Sequence, residues 1–410
     1  MRRVVITGMG VISPIGNNQI DFFNNLMAGN SGIRKISSNF LNQLSVKIAA
    51  EVDFESSAFF QKKQLGFLDR TSQFALAAAS QAWKDSGISL SDSEKLRSGV
   101  AIGTSMGGAS TIEETYTQLY QKNIGRVKPF TVLRAMSNAS ASHISIEYGL
   151  KGPCLSFSVA CSSSSVAIGE AYRMIKDGYT DVMVAGGAEA LLTYGVMKAW
   201  ESLGILAVED KDNPSASCKP FSKDRSGFVL GEGAAIFVME ELNRAIKRNA
   251  RIYGEMAGYS STADTYHITK PSLEGQAHTI FSSLESASMI PDDIDYINAH
   301  GTATELNDIV ETKAIKKVFG DKAYSIPVSS TKSMHGHMMG ATGAVELLAS
   351  VLAIKNQAIP PTANLLLKDP ECDLDYVPIK GRTGVKVRAV MSNSFAFGGT
   401  NAILIVRNYE

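Results

Sequence analysis

The sequence predicts an α/β protein built from two core-bearing units. Short apolar runs alternate with helix-spaced segments almost from end to end, the pattern of buried strands joined by helices. At 410 residues the chain exceeds the size at which a single core usually keeps growing. The pattern also restarts near residue 250, after the charged segment NRAIKRNA. We therefore expect one unit over 1–250 and a second over 251–410, with no residue-level repeat relating them.

Taken in order, VVIT reads as a buried strand and FFNNLMAG as the helix after it. The two arginines before VVIT imitate a secretion signal. Gly8, Gly10 and Pro14 break the apolar run too early for one, and no small-residue cleavage site follows. GMGVIS at 8–13 imitates a dinucleotide-binding glycine pattern. Its third glycine is missing and Pro14 stands where the helix should open, so we expect a tight strand-to-loop turn there. GVAIG is the next strand, followed by a mostly polar helix from Thr111 to Lys122. SVAIGEAYRMIKDG has Val166, Ile168, Ala171, Tyr172 and Ile175 on helical spacing and Gly178 as its stop. DVMVAGG is a strand directly after it, and LLTYGVMKAWESL a helix. AAIFVMEEL and RIYGEMAGYS read as strands flanking NRAIKRNA. In the second unit DYINAH, PVSST and AVMSNS are strand ends, while VETKAIKKVF and AVELLASVLAIK are helices.

Lys plus Arg and Asp plus Glu each number 40, so global charge argues for neither nucleic acid nor an anionic membrane as partner. An apolar share of 44% with 12 prolines describes a globular chain without a low-complexity tail. Cysteines at 154, 161, 218 and 372 form no CxxC pair, which fits a reduced cytoplasmic protein better than a disulfide framework. No apolar run reaches the roughly 18 residues of a spanning helix.

Several segments can carry chemistry. CLSFSVACSSSSVAIG places Cys161 where a strand gives way to a helix. Unpaired N–H groups and the dipole favour a thiolate there, and the serines can cap the helix. The bland alternative is a small buried hydrophobe. GTSMG satisfies the nucleophile-elbow pattern with Ser105, which keeps a serine hydrolase as an alternative, although the following helix is too polar for that fold. NAHGT puts His300 at a strand end, and SSTKSMHGHMMGATGAVE puts Lys332 and His337 in a glycine-rich loop before an apolar helix. These histidines can also serve a metal, yet no acidic or sulfur ligand at suitable spacing is evident. MSNSFAFGGTNAILIV is strand, turn and strand, and its glycines let backbone N–H groups aim into a cavity. An ordinary hairpin is the competing reading.

In order along the chain, VACSSS, NAHGT, STKSMHGH and NSFAFGGTN resemble the β-ketoacyl-[acyl-carrier-protein] synthases of the elongating type. VVITGMGVISPIG, FSKDRSGFVLGEGA, DTYHIT and AIPPTANL extend the resemblance over nearly the whole chain. The resemblance implies a thiolase fold, two similar α/β halves in a five-layered αβαβα sandwich, and a dimer. It implies that Cys161 is the acylated nucleophile, that His300 and His337 hold the malonyl thioester, and that Lys332 supports them with Glu346 and Asp308. Amides of Cys161 and Phe397 match an oxyanion hole, Phe397 also matches a gating phenylalanine, and Phe395 is expected among the substrate-binding residues. Thr302 and Thr304 match threonines that hold a phosphopantetheine arm, and Met106 and Phe228 match the acyl pocket. No cofactor and no catalytic metal are implied.

The partner implied is an acyl carrier protein, which is acidic. Lys62, Lys63 and Arg70 are the expected docking residues, with Arg126 and Lys128 as second choices. A heterodimer with a noncatalytic chain-length partner remains an alternative to the homodimer. VACSSSS resembles polyketide-type ketosynthases more than housekeeping ones, and FAFGG carries Ala396 where glycine is commoner.

Overall fold

The computed structural model describes residues 2–38 and 40–409. Ten strands frame it: β1 (Val4–Ile12), β2 (Ser98–Gly103), β3 (Cys154–Phe157), β4 (Val182–Glu189) and β5 (Gly233–Glu241), then β6 (Gly254–Ala263), β7 (Tyr296–Asn298), β8 (Val328–Ser329), β9 (Ala389–Phe395) and β10 (Thr400–Arg407). They form one sheet in the order β8-β7-β9-β10-β6-β1-β5-β4-β2-β3. Each set of five repeats the same order, third-second-fourth-fifth-first, with the fifth strand antiparallel to both neighbours. The two sets meet where β1 pairs antiparallel with β6, Val4 opposite Met256 and Ile6 opposite Gly254. A duplication invisible to residue-by-residue inspection is therefore explicit in the strand order.

Helices α1 (Arg70–Ser86) and α2 (Ala139–Tyr148) cover the outer face of the first set, while α4 (Leu273–Ala287) and α5 (Glu305–Phe319) cover that of the second. Between the sets lie α3 (Ser163–Lys176) and α6 (Thr342–Asn356), packed on each other and on both sets of strands. The result is the five-layered αβαβα arrangement of the thiolase fold. Helix α6 is buried through all but its last two residues, as befits the middle layer. A helix buried all round is apolar all round, and AVELLASVLAIK has that composition.

The segment GMGVI departs from its sequence reading. It continues β1 rather than turning, with a register shift between Ile6 and Gly8. The glycines are there for packing: a Cβ at Gly8 or Gly10 would run into the carbonyl oxygens of Ala82 and Ala78 on α1. Gly10→Ala is therefore expected to destabilise the fold by about 3 kcal/mol, read as a fall in Tm. The polar helix expected to Lys122 ends as α-helix at Tyr116 and runs on as a π-turn over Thr117–Gln121. Among the described residues no helix is long and apolar enough to cross a membrane.

Candidate active site

Strand β3 ends at Phe157, and a 3-10 turn over Ala160–Ser162 delivers Cys161 to the N-terminus of α3. The serines that follow do not cap that helix, contrary to the sequence expectation. Ser163 braces the turn, accepting from the Val159 amide (2.9 Å) and donating to the Ala160 carbonyl (2.7 Å). Ser162 donates to the carbonyls of Ser394 (3.1 Å) and Thr400 (2.8 Å), and Ser165 shares a hydrogen bond with Ser394 (2.8 Å). Ser164 accepts from the Ala344 amide at the start of α6 (2.9 Å). Three of the four hydroxyls thus tie the Cys161 turn to the residues flanking FAFGG and to α6 across the middle layer, while Ser163 braces the turn itself.

The Cys161 sulfur lies 3.1 Å from His337 Nε2 and 3.9 Å from Met339 Sδ. Backbone N–H groups of Phe397 and of Cys161 itself point at it. Burial pushes the thiol up to about 11, although Lys332 and those two amides pull it down. The expected resting thiolate is thus corrected to a thiol, because desolvation at 6% exposure outweighs the helix terminus.

Two hydrogen bonds decide how the histidines present themselves. The Met339 N–H donates to His337 Nδ1 (3.2 Å), and Thr342 Oγ1 lies 2.9 Å from the same nitrogen. Nδ1 is an acceptor, so the neutral ring carries its proton on Nε2, facing Cys161. The Lys332 ammonium sits 3.3 Å from His300 Nδ1 and also donates to the His300 carbonyl, which puts the His300 proton on Nε2 as well. The third Lys332 proton goes to Glu346 Oε1, and both side chains are fully buried. Burial, reinforced by Lys332, holds both imidazoles well below their ordinary value, so both are neutral donors. Burial pushes Glu346 up to about 7 against the pull of Lys332. One donor atom from each of Cys161, His300 and His337 lies within 4.8 Å of the others, close enough by distance to share a metal. Both Nδ1 atoms are occupied as acceptors, however, so the rings offer N–H groups rather than the lone pairs a metal needs.

These groups open onto a cavity of about 310 Å³, which Thr302, Thr304, Phe228, Phe395 and Phe397 also line. Thr302 and Thr304 share a hydrogen bond between their hydroxyls (2.8 Å). The FAFGG turn is held by its own geometry, Gly398 and Gly399 at φ 84° and 74°, and by the Gly398 amide donating to the Ile268 carbonyl (2.8 Å). Met106 is 48% exposed and lies outside this cavity. Asp308 is also outside it: its carboxylate is pushed up to about 6 by burial and accepts from the Phe221 amide (2.8 Å). Lys62 and Lys63 are exposed on a short helix. Arg70 is spent elsewhere, in a bidentate pair with Glu232 (2.5 and 2.9 Å), because it begins α1 against the residue that immediately precedes β5. Lys128 pairs with Glu114. The Ser105 hydroxyl donates to Glu189 (2.6 Å), not to an imidazole, and among the described residues no hydrolase triad forms around it.

Sequence reasoning missed four residues here. Glu311 accepts from the amides of His300 (2.7 Å) and Gly301 (2.8 Å) and so fixes the loop after β7. Met339 sets the His337 tautomer, Glu189 receives the Ser105 loop, and Trp200 stacks on Phe397 at 6.2 Å. Only Glu311 left a trace, as an acidic residue on the helix after NAHGT.

The comparisons agree with this architecture. The family description "Beta-ketoacyl synthase, N-terminal domain" matches residues 1–245, and "Beta-ketoacyl synthase, C-terminal domain" matches 253–366. The 3-oxoacyl-[acyl-carrier-protein] synthase 2 of Coxiella burnetii (strain RSA 493 / Nine Mile phase I) is 45% identical over 408 residues, 99% of this chain and 98% of that one. The ishigamide ketosynthase/chain length factor superposes with a TM-score of 0.93 at 35% identity, covering 100% of both chains. A ketosynthase bound to the hexaketide, solved with its type II PKS acyl-carrier protein, gives 0.91 at 32% identity, again covering 100% of each. Fold and comparisons together define a thiolase-fold acyltransferase. The chain belongs to the β-ketoacyl synthase family.

Proposed function

We propose that this enzyme condenses an acyl group, carried on Cys161, with malonyl-acyl carrier protein to give 3-oxoacyl-acyl carrier protein in fatty-acid or polyketide chain elongation. The observation that carries this reading is a thiol flanked by two amide donors and two Nε2–H imidazoles. Acyl transfer comes first. The Cys161 sulfur bonds the acyl carbon, the amides of Cys161 and Phe397 hold the oxyanion, and the Cys161 proton leaves with the pantetheine sulfur. Malonyl carrier follows, its arm passing Thr302 and Thr304. Its carbon–carboxylate bond breaks, carbon dioxide leaves, and the electron pair becomes an enolate held by His300 and His337. The enolate carbon then bonds the acyl carbon, the sulfur of Cys161 departs, and a proton from solvent restores the thiol. Every electron pair comes from sulfur or from the broken carbon–carbon bond, so the chemistry asks for donors rather than a redox group.

Lys62 and Lys63 are the carrier-docking residues in this reading, with Arg70 left as a structural ion pair. The open edge of β3 and the exposed side chains Tyr116, Tyr120, Phe130 and Leu133 suit a second subunit, either another copy or a chain-length partner. Four free cysteines, Cys154 among them exposed, suit the reducing cytoplasm.

Mass spectrometry of the intact protein with a panel of acyl carriers tests the first step: an acyl adduct on Cys161 is expected, and its absence at every chain length would refute the reading. The second step has a pH signature. Depressed imidazole values mean neutral donors persist as pH falls, so malonyl-carrier decarboxylation should stay flat from about pH 8 to about pH 6. An acid limb centred near the ordinary histidine value would contradict that.

A further inference from the structure

Glu189 ends β4 fully buried, and its carboxylate meets no cation among the described residues. Five donors fill it instead. The Ser105 amide (2.5 Å), the Ser105 hydroxyl (2.6 Å) and the Gly340 amide (3.0 Å) meet Oε2, while the Thr104 hydroxyl (3.0 Å) and the Met106 amide (3.4 Å) meet Oε1. An unpaired buried carboxylate is costly and survives only where hydrogen bonds replace its water.

Those bonds hold a strained turn. Met339 has φ 44°, a left-handed conformation that a non-glycine residue keeps only when its surroundings impose it. Its neighbour Gly340 lies so close to Ser105 and to the Glu189 carboxylate that a Cβ has no room. Within that turn the Met339 amide points at His337 Nδ1 (3.2 Å) and the thioether touches the Cys161 sulfur (3.9 Å). Relaxing the turn withdraws the amide from Nδ1, and the His337 proton is then free to move there.

We propose that Glu189 is a positioning residue of the condensation site: through Gly340 it holds the Met339 turn that keeps His337 a donor at Nε2. The inference rests on the reading of His337 as a donor to the malonyl thioester. Opening the clamp should therefore harm the malonyl half-reaction far more than acylation of Cys161, whose oxyanion donors lie on other segments.

The test compares wild-type enzyme with Glu189→Ala, Glu189→Gln and Glu189→Asp, using acylation of Cys161, malonyl-carrier decarboxylation and nitrogen NMR of labelled histidine. Glu189→Ala should lose about tenfold or more in decarboxylation, stay within about threefold in acylation, and shift His337 from Nε2–H toward a mixture of tautomers. Glu189→Gln should recover most of the loss, because its carbonyl oxygen can receive Ser105 and Gly340 while its amide donates to the Thr104 hydroxyl, giving up only the long Met106 contact (3.4 Å). If the alanine variant fails to fold, Glu189→Asp decides: it keeps the charge, withdraws the oxygens, and should show the same selective loss. Equal loss of both half-reactions with Nε2–H retained, or no loss in either, would overturn the proposal. A wild-type enzyme that neither acylates nor decarboxylates would overturn the proposed function, and this inference with it.

Discussion

Cys161→Ser is expected to abolish 3-oxoacyl product, a loss of at least about 10³-fold, while carbon dioxide release from malonyl carrier survives within a few-fold. The two outcomes separate because they use different atoms. A serine hydroxyl is far harder to deprotonate than a thiol, and the imidazole nitrogen that faces it, His337 Nε2, already carries a proton because Nδ1 accepts the Met339 amide. Acyl transfer therefore stops. Decarboxylation, in the mechanism proposed above, uses the Nε2–H groups of His300 and His337, which the substitution leaves in place. In the unmodified enzyme, alkylation of Cys161 should climb about tenfold per pH unit without a plateau through pH 9, since burial pushes the thiol up to about 11. A plateau near pH 7 would show that the helix terminus defeats desolvation after all.

Lys332→Met is the second large effect. Lys332 uses its three protons on Glu346, the His300 carbonyl and His300 Nδ1, with no exposure to water. Removing one member of a buried pair leaves the other charge uncompensated, at a cost of about 3–5 kcal/mol. Glu346 can soften that cost by taking up a proton, because burial already raises it to about 7 in the presence of Lys332. The sign follows from linkage. Folded Glu346 keeps its proton to a higher pH than the unfolded side chain, so the folded state binds more protons and stability falls as pH rises through that window. The Tm deficit of Lys332→Met should accordingly widen from about pH 6 to about pH 9, and Glu346→Gln should shrink it in the double variant. The same substitution releases His300 Nδ1, so decarboxylation should fall as well. A pH-independent deficit would show that Glu346 does not titrate there.

The fold was legible because its strands are short, apolar and separated by helical spacing, and that signal is local. Cys161, His300, Lys332 and His337 were legible for a related reason: each stands at a strand exit or in a glycine-rich loop, where sequence context marks it. Arg70 misled, since a basic residue in a charged segment looks free until the chain entering β5 brings Glu232 against it. Gly8 and Gly10 misled in the opposite direction, because glycine patterns are read as turns and here they are contact points for α1. The serines after Cys161 were read as caps of their own helix. Their real partners, Ser394, Thr400 and Ala344, lie more than 170 residues away in the chain.

The amino-acid sequence alone determined the alternation of strand and helix and marked the expected division near residue 250 and the candidate site side chains. Periodicity and residue chemistry are properties of a segment and need no partner to be expressed. The tertiary structure alone decided the electrostatics of the site: burial raises the Cys161 thiol, both histidines accept at Nδ1, and the buried Glu189 carboxyl, itself raised by desolvation, meets five donors and no cation among the described residues. Each depends on burial and on donors from distant segments, and desolvation has no value until the surrounding layers are packed.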